Sequence, residues 1–283
     1  MLYCLSARKP RAFQKGTIVI DYSGRSVLVT GAASGIGAAL SVAVAARGAY
    51  VICADIDGAG LSRTLDAISG NGEQIICDLS EANAAAELVD KAYDVRGELA
   101  LVCSNVGIGH RAKITNPDLD HDTIYRLFEI NFYSGLKLAN AYAQRLSEVC
   151  AQGQIMFTTS ETSLSLPSAI RKNRVPYYSA SKHALIGALE WLAIEQEKGP
   201  LSIHALIPGA VYTPLISGRL KDPADAWPEL ELIMPEACAE IALKGLDLDL
   251  FYIPTQAHIL DDMQPRVEGV RDALQKLGVK PAG

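Results

Sequence analysis

Short apolar runs alternate with longer stretches of helical spacing along this chain. The runs are Ser26–Gly31 (SVLVTG), Tyr50–Asp55 (YVICAD), Glu73–Asp78 (EQIICD), Leu99–Asn105 (LALVCSN), Gln154–Ser160 (QIMFTTS), Leu201–Gly209 (LSIHALIPG) and Leu250–Pro254 (LFYIP). They are short and rich in Val, Ile and Leu, which argues for strands. Between them lie helical patterns: GIGAALSVAVAARG from Gly35, Gly58–Ser69, EANAAAELVDKAYDV from Glu81, Asp120–Val149, and Tyr178–Lys198. The strand runs are continuous rather than alternating, as expected of strands covered on both faces. Strands interleaved with helices predict an α/β protein with a doubly wound sheet of about seven parallel strands. Residues 22–283 are expected to form a single domain, preceded by a flexible extension over 1–21. The segment 212–236 is rich in Pro and polar residues and breaks the alternation, so it reads as a lid above the sheet. A helical tail is expected over 256–283.

Composition narrows the function classes. Apolar residues make up 49% of 283 residues, ample for a large core. Lys and Arg total 26 against 32 Asp and Glu, a net charge of −6 with no basic block. Nucleic-acid binding needs clustered cations, so it is not expected. Cys4, Cys53, Cys77, Cys103, Cys150 and Cys238 form no CxxC pair. They read as reduced, buried residues of a reducing compartment, and no metal site is expected. No apolar run reaches the ~18 residues of a membrane span. The basic N-terminus, MLYCLSARKPRAFQKG, lacks a secretory core; it reads as a loose extension, with a targeting role as the alternative. A cytoplasmic protein is expected.

Two local features carry chemistry. VLVTGAASGIG places Gly31, Gly35 and Gly37 between a strand and a helix. Small residues let the backbone approach a pyrophosphate, and the helix N-terminus offers free N–H groups and a positive dipole end. The sheet is therefore expected to be of the Rossmann type. Asp55 ends the second strand, where a carboxylate accepts hydrogen bonds from ribose hydroxyls and repels a 2′-phosphate. No Arg or Lys stands in the glycine loop or directly after Asp55, which favours NAD over NADP. The competing reading of Asp55 is a cap for the next helix. In PYYSASK, only Tyr178 has a lysine, Lys182, four residues on; Tyr177 has Ser181. Positions i and i+4 share a helix face, so Lys182 is expected to lower the Tyr178 pKa and make it a general acid/base.

These motifs together resemble the classical short-chain dehydrogenase/reductase family over roughly residues 22 to 255. TGAASGIG is similar to its TGxxxGIG loop, YSASK to YxxxK, PGAVYTP to PGxVxTP, and SNVG to NNAG, with departures at Ser104 and Val106. The resemblance implies a catalytic set of Asn131, Ser160, Tyr178 and Lys182. Ser160 would bond the substrate oxygen, and Asn131 would hold a water in a relay to Lys182. Thr159 and Ser163 are the competing hydroxyls. The implied cofactor contacts are Gly31, Ser34, Gly35, Ile36, Gly37, Asp55, Asp78, Leu79, Asn105, Gly107, Tyr178, Lys182, Pro208, Gly209, Val211 and Thr213. Substrate contacts are expected from His110, Tyr177, Leu215, Ile216 and Trp227, with Leu220 also in an apolar roof. The implied activity is NAD-dependent interconversion of a secondary alcohol and a ketone, on a hydrophobic or aromatic small molecule. A non-catalytic NAD-binding redox sensor would have a damaged Ser–Tyr–Lys set, and a ketoacyl-thioester reductase would use NADP. The helices over Asp120–Val149 and Tyr178–Lys198 are candidates for a homodimer or homotetramer interface. The gap between Ser160 and Tyr178 is longer than the family's usual one. It holds IRKNRV, with Arg171, Lys172 and Arg174, either a basic lip for an anionic substrate or a solvated loop.

Overall fold

The computed structural model describes residues 21–218 and 220–279. The expected extension over 1–20, Cys4, the Lys172 side chain and the last residues of the tail lie outside the described residues.

Seven parallel strands form one sheet in the order β3-β2-β1-β4-β5-β6-β7. They are β1 (Ser26–Thr30), β2 (Tyr50–Asp55), β3 (Gly72–Ile76), β4 (Leu101–Ser104), β5 (Gly153–Thr158), β6 (Leu201–Ile207) and β7 (Tyr252–Pro254). The helices between them are α1 (Gly35–Ala45), α2 (Gly58–Ala67), α3 (Ala84–Arg96), α4 (His121–Phe128), α5 (Ser134–Glu148), α6 (Pro176–Glu195), the short α7 (Pro214–Ser217), α8 (Pro235–Asp247) and α9 (His258–Lys276).

The unbroken apolar runs follow from two-sided burial. Side chains alternate across a strand, so Val27 and Val29 face one side and Leu28 the other. Val27, Val29, Val51 and Cys53 pack with Leu40 and Val44 of α1 and Leu243 and Leu246 of α8. Leu28, Ile52 and Val102 pack with Leu88 of α3, Leu138 of α5 and Leu189 of α6. β3 departs from the expectation. It is the sheet edge and largely exposed, with Ile76 61% accessible. Pro254 lies in the opposite edge strand, where a missing N–H is tolerated.

Local chemistry sets the boundaries. Asp57 caps α2, accepting from Gly60 N at 3.0 Å. Asp120 caps α4, accepting from Asp122 N at 3.1 Å. Gly97, at φ 76°, ends α3 in the left-handed conformation that favours glycine. The single helical pattern over Asp120–Val149 is interrupted: Glu129–Tyr133 forms a π-turn between α4 and α5. Helical periodicity runs through such a bulge, so the pattern does not reveal it.

β1 and β4 are neighbours, while the chain leaves β3 to cross over to β4. The strand order therefore reverses beside β1, opening a crevice at the carboxyl ends of the strands. The reading of the cysteines as buried holds for Cys53, Cys103 and Cys238 but not for exposed Cys150, which follows α5 in a left-handed turn. Among the described residues, no helix is long and apolar enough to cross a membrane, and no group of three or more His, Cys, Asp or Glu is placed to hold a metal.

Candidate active site

The glycine loop runs from the end of β1 into α1 at this crevice. Gly31 takes φ +67° and Gly35 φ +54°. A Cβ on Gly37 would stand 2.0 Å from Gly31 O, so only glycine lets α1 pack this closely onto the loop. Thr213 lies against Gly35, where a Cβ would meet its Cγ2 at 2.9 Å, bringing the PGAVYTP segment to the same loop. Ser34, at the N-cap of α1, is exposed, and its side chain makes no cap bond.

Asp55 accepts from Ala33 N at 3.1 Å and from Asp57 N at 3.0 Å. The cap of α2 is Asp57, so the competing reading of Asp55 as that cap does not hold. Its carboxylate instead braces the glycine loop and stays partly exposed at the carboxyl end of β2. Asp78 follows β3. Hydrogen bonds from Ser80 N and Oγ hold its carboxyl below the usual range, and Arg126 Nη2 lies 3.3 Å away. Leu79 beside it is 7% exposed. Asn105 ends β4, receives Thr158 Oγ1 at 2.9 Å and places its Nδ2 against Gly31, locking the two strand ends together. This polar, glycine-lined cradle fits a dinucleotide: backbone amides and α1 for the diphosphate, and Asp55 for ribose hydroxyls.

Tyr178 stands on the first turn of α6, and Lys182 stands one turn further on. The Lys182 Nζ lies 6.0 Å from the Tyr178 ring centre and donates to Thr158 O at 2.8 Å. Ser160 hydrogen-bonds Tyr178, and Thr162 N and Oγ1 both point to the Ser160 Oγ, at 3.2 and 3.1 Å. The competing hydroxyls are committed elsewhere: Thr159 Oγ1 donates to Leu206 O, and Ser163 Oγ donates to Ser160 O. Asn131 sits in the π-turn. Its Oδ1 accepts from Ile108 N at 2.8 Å, and its Nδ2 donates to Ile108 O and Ser181 Oγ. A Cβ on Gly107 would stand 3.4 Å from Asn131 Oδ1 and 3.6 Å from Lys182 Nζ, so these three residues converge.

The electrostatics correct one expectation. Burial pushes the Tyr178 phenol above its ordinary pKa; the Ser160 hydrogen bond pulls it back only in part, and the charge of Glu161 raises it further. Lys182 does not produce the expected lowering. Burial instead brings Lys182 itself down to about 8. This arrangement favours the neutral phenol of Tyr178 over its phenolate.

The substrate candidates are more dispersed. The His110 and Tyr177 rings stand 6.3 Å apart. Leu215 packs over the same loop, its Cδ1 2.8 Å from where a Gly109 Cβ would lie. Ile216 is half-buried, and Trp227 is 45% exposed. Leu220 is buried, 7% exposed. Trp227 precedes the turn Pro228–Leu230, which packs on the turn Ser168–Asn173. The excursion closes at its base, where Val211 pairs with Ile233, and α8 takes over from Pro235.

Four structural partners have no signal in the sequence patterns. Glu161, beside Ser160, is 5% exposed and bonds His258 Nε2 at 2.8 Å. His258 Nδ1 also lies 2.9 Å from the Glu231 carboxylate, outside hydrogen-bond alignment. Gln256 accepts from Gly209 N at 2.7 Å and donates to Ala210 O, fixing the loop after β6. Arg266 of α9 reaches Leu164 O at 3.0 Å and His183 Nε2 at 2.7 Å. The start of the tail is thus tied to the catalytic loop.

A switch-point crevice with a dinucleotide cradle, and a Ser–Tyr–Lys set at its mouth, define a nucleotide-dependent oxidoreductase. The sequence model of the short chain dehydrogenase family matches residues 25–224, and the chain belongs to that family. It is 31% identical over 235 residues to 1-deoxy-11-beta-hydroxypentalenate dehydrogenase of Streptomyces avermitilis, covering 82% of this chain and 84% of that protein. It is 32% identical over 196 residues to (+)-borneol dehydrogenase 1 of Salvia officinalis, covering 69% of this chain and 73% of that one. A short chain dehydrogenase/reductase from Burkholderia phymatum, solved in complex with NAD, shares the fold at a TM-score of 0.78 and 22% identity, covering 93% of this chain and 99% of that one. As a member of this family, the chain is an oxidoreductase acting on secondary alcohols or ketones of small molecules.

Proposed function

We propose that the protein is an NAD(H)-dependent alcohol dehydrogenase/ketoreductase acting on a hydrophobic or aromatic secondary alcohol or its ketone. The observation that carries this reading is the convergence of the Ser160 and Tyr178 hydroxyls beside Lys182 at the crevice mouth. The nicotinamide, when bound, supplies the hydride acceptor or donor. This chain's residues position the substrate and move the proton. Ser160 holds the reacting oxygen. Tyr178 gives its phenolic proton to that oxygen in reduction and takes it back in oxidation. Lys182, with Asn131 and Gly107 beside it, anchors the polar end of the relay.

Asp55 supports NAD over NADP, because its carboxylate stands where a 2′-phosphate would be repelled. Leu215 over Gly109, and the Tyr177 and His110 rings, support an apolar-bodied substrate. The two relatives' names describe removal of hydrogen from a hydroxylated compound, in keeping with this direction of chemistry. Exposed Tyr125 and Tyr133, with Trp191 and Ile194 on α6, support a homodimer or homotetramer, which light scattering tests.

The experiment is NADH formation from NAD across aliphatic, cyclic, steroid and aryl secondary alcohols, with NADP and the Tyr178→Phe variant run in parallel. NAD-linked turnover that vanishes in the variant is expected. Turnover with NADP alone would overturn the role given to Asp55. Tight NADH binding without turnover of any alcohol or matching ketone would favour the sensor reading.

A further inference from the structure

Just before the start of α6 lies an open cleft of about 600 Å³, lined by Arg111, Ala112, Lys113, Asn116, Asn173 and Arg174. Two segments build it. One follows β4; the other is the loop before α6. They are joined by Ala112 N donating to Arg174 O at 3.1 Å. That bond brings Arg111 and Lys113 next to Arg174, although they are distant in sequence.

The charge here is one-sided. Arg111, Lys113 and Arg174 take part in none of the ion pairs among the described residues. Of the acids in the same loop, Asp120 is spent capping α4, with Thr123 Oγ1 at 2.5 Å and Asp122 N at 3.1 Å. Asp118 is exposed and offers only its backbone N–H, to Asn116 Oδ1. Three cations thus line one cleft of a protein of net charge −6, and among the described residues none of them is ion-paired with a carboxylate.

Two of the residues lining the cleft also stand close in the chain to candidate site residues. Arg174 precedes Tyr178 by four residues, a Cα separation of at most about 14 Å. Arg111 follows His110, whose ring faces Tyr177, and the His110 Nε2 is buried without a hydrogen-bond partner. A buried polar atom left unpaired is costly unless a ligand completes it.

We propose that this cleft receives a carboxylate of the substrate, held by Arg111, Lys113 and Arg174, while the hydroxyl or carbonyl at the other end of the same molecule lies on Ser160 and Tyr178. The substrate class is then a hydroxy acid, or its keto acid, with an apolar body between the two groups. Guanidinium forks match carboxylate oxygens in pairs, which orients as well as attracts. This assignment rests on the dehydrogenase reading for the second half of the substrate. Its first half is a binding claim that needs no turnover.

The test is calorimetric titration of the NADH-loaded protein with cyclic and aryl hydroxy acids, the methyl esters of the same acids, and inorganic phosphate. It is run on wild type and on the Arg111→Gln/Lys113→Gln/Arg174→Gln variant. Thermal melting and NADH affinity check that the exposed substitutions leave the frame intact. At least one acid is expected to bind wild type more tightly than its ester, and the triple variant to lose about ten- to a hundredfold of that affinity with ester binding unchanged. Equal binding of acids and esters, a preference that survives in the triple variant, or no saturable binding of any acid would overturn the proposal. Phosphate binding as tight as the best acid would overturn the assignment to a substrate carboxylate. NAD-linked turnover of the same hydroxy acids and of neutral alcohols is measured on the same samples. If neither is turned over while acid binding persists, the dehydrogenase reading fails and the cleft stands.

Discussion

The floor of the site and its rim are built in opposite ways. On the floor, Lys182 is 3% exposed and Asn131 is 3% exposed, and each has its polar atoms tied to β5, to the loop after β4 or to α6. On the rim, Arg111, Lys113 and Arg174 are exposed and outside every ion pair described, Leu215 is half out in solvent, and His110 keeps an unpaired nitrogen. A buried group must have its partners within the protein, so the floor is complete before any ligand arrives. The rim is left incomplete, and its unmet bonds describe the molecule that would meet them. On the proposed reading, the reaction is written in the floor and the choice of substrate in the rim.

Substitutions separate the two. Tyr178→Phe removes the proton donor from the floor and is expected to lower kcat by at least about 10²–10⁴-fold, with NADH affinity retained; steady-state kinetics and fluorescence titration check this. Asp55→Asn removes the charge at the adenosine end. It is expected to raise KM for NAD about tenfold and to improve use of NADP, read as the ratio of kcat/KM for the two cofactors. A smaller effect is expected for His258→Gln, which cuts the tie between α9 and Glu161.

That tie carries a pH signature. Burial alone would lower the His258 pKa, but the hydrogen bond to Glu161 and the charges of Glu161 and Glu231 outweigh it, and the net shift is upward. A raised histidine pKa adds stability in full below the unfolded value of about 6.5, and this stability is lost as pH rises through the higher folded value. Thermal melting of the wild type against His258→Gln should therefore show a gap that is widest in mildly acidic buffer and narrows in alkaline buffer. A gap independent of pH would rule out the ionic tie. The smallest effect belongs to the rim: Leu215→Ala is expected to raise KM for apolar alcohols a fewfold, about 1 kcal/mol, leaving kcat nearly unchanged.

The floor was largely legible in the sequence. Gly31–Gly37 and Tyr178–Lys182 are contiguous motifs whose geometry follows from a strand–helix turn and from one turn of helix. The choice of Ser160 over Thr159 and Ser163 rests on family resemblance; in the structure the other two hydroxyls donate to Leu206 O and Ser160 O. The bracing of Ser160 and Gly209 was illegible. Glu161 and His258 stand far apart in sequence, and a lone glutamine such as Gln256 carries no periodicity. The π-turn that aims Asn131 was hidden within a continuous helical pattern. The fall in the Lys182 pKa, and the rise in that of Tyr178, depend on how deeply both are buried, which spacing does not give. Half of the basic cleft was visible in IRKNRV; the other half, Arg111 and Lys113, joins it only through the backbone bond from Ala112 to Arg174.

The Val211–Ile233 pairing holds the two ends of the excursion over the crevice at a fixed gap. With the ends pinned, the entropic cost of the enclosed chain grows only logarithmically with its length, about 0.6 kcal/mol for each doubling. Insertions or deletions after Thr213 and before Glu231 are then expected to leave the sheet, the glycine loop and the Tyr178–Lys182 pair in place. If the segment roofs the pocket as proposed, the bridge makes it an exchangeable part, free to drift toward new substrates while the chemistry below is inherited intact.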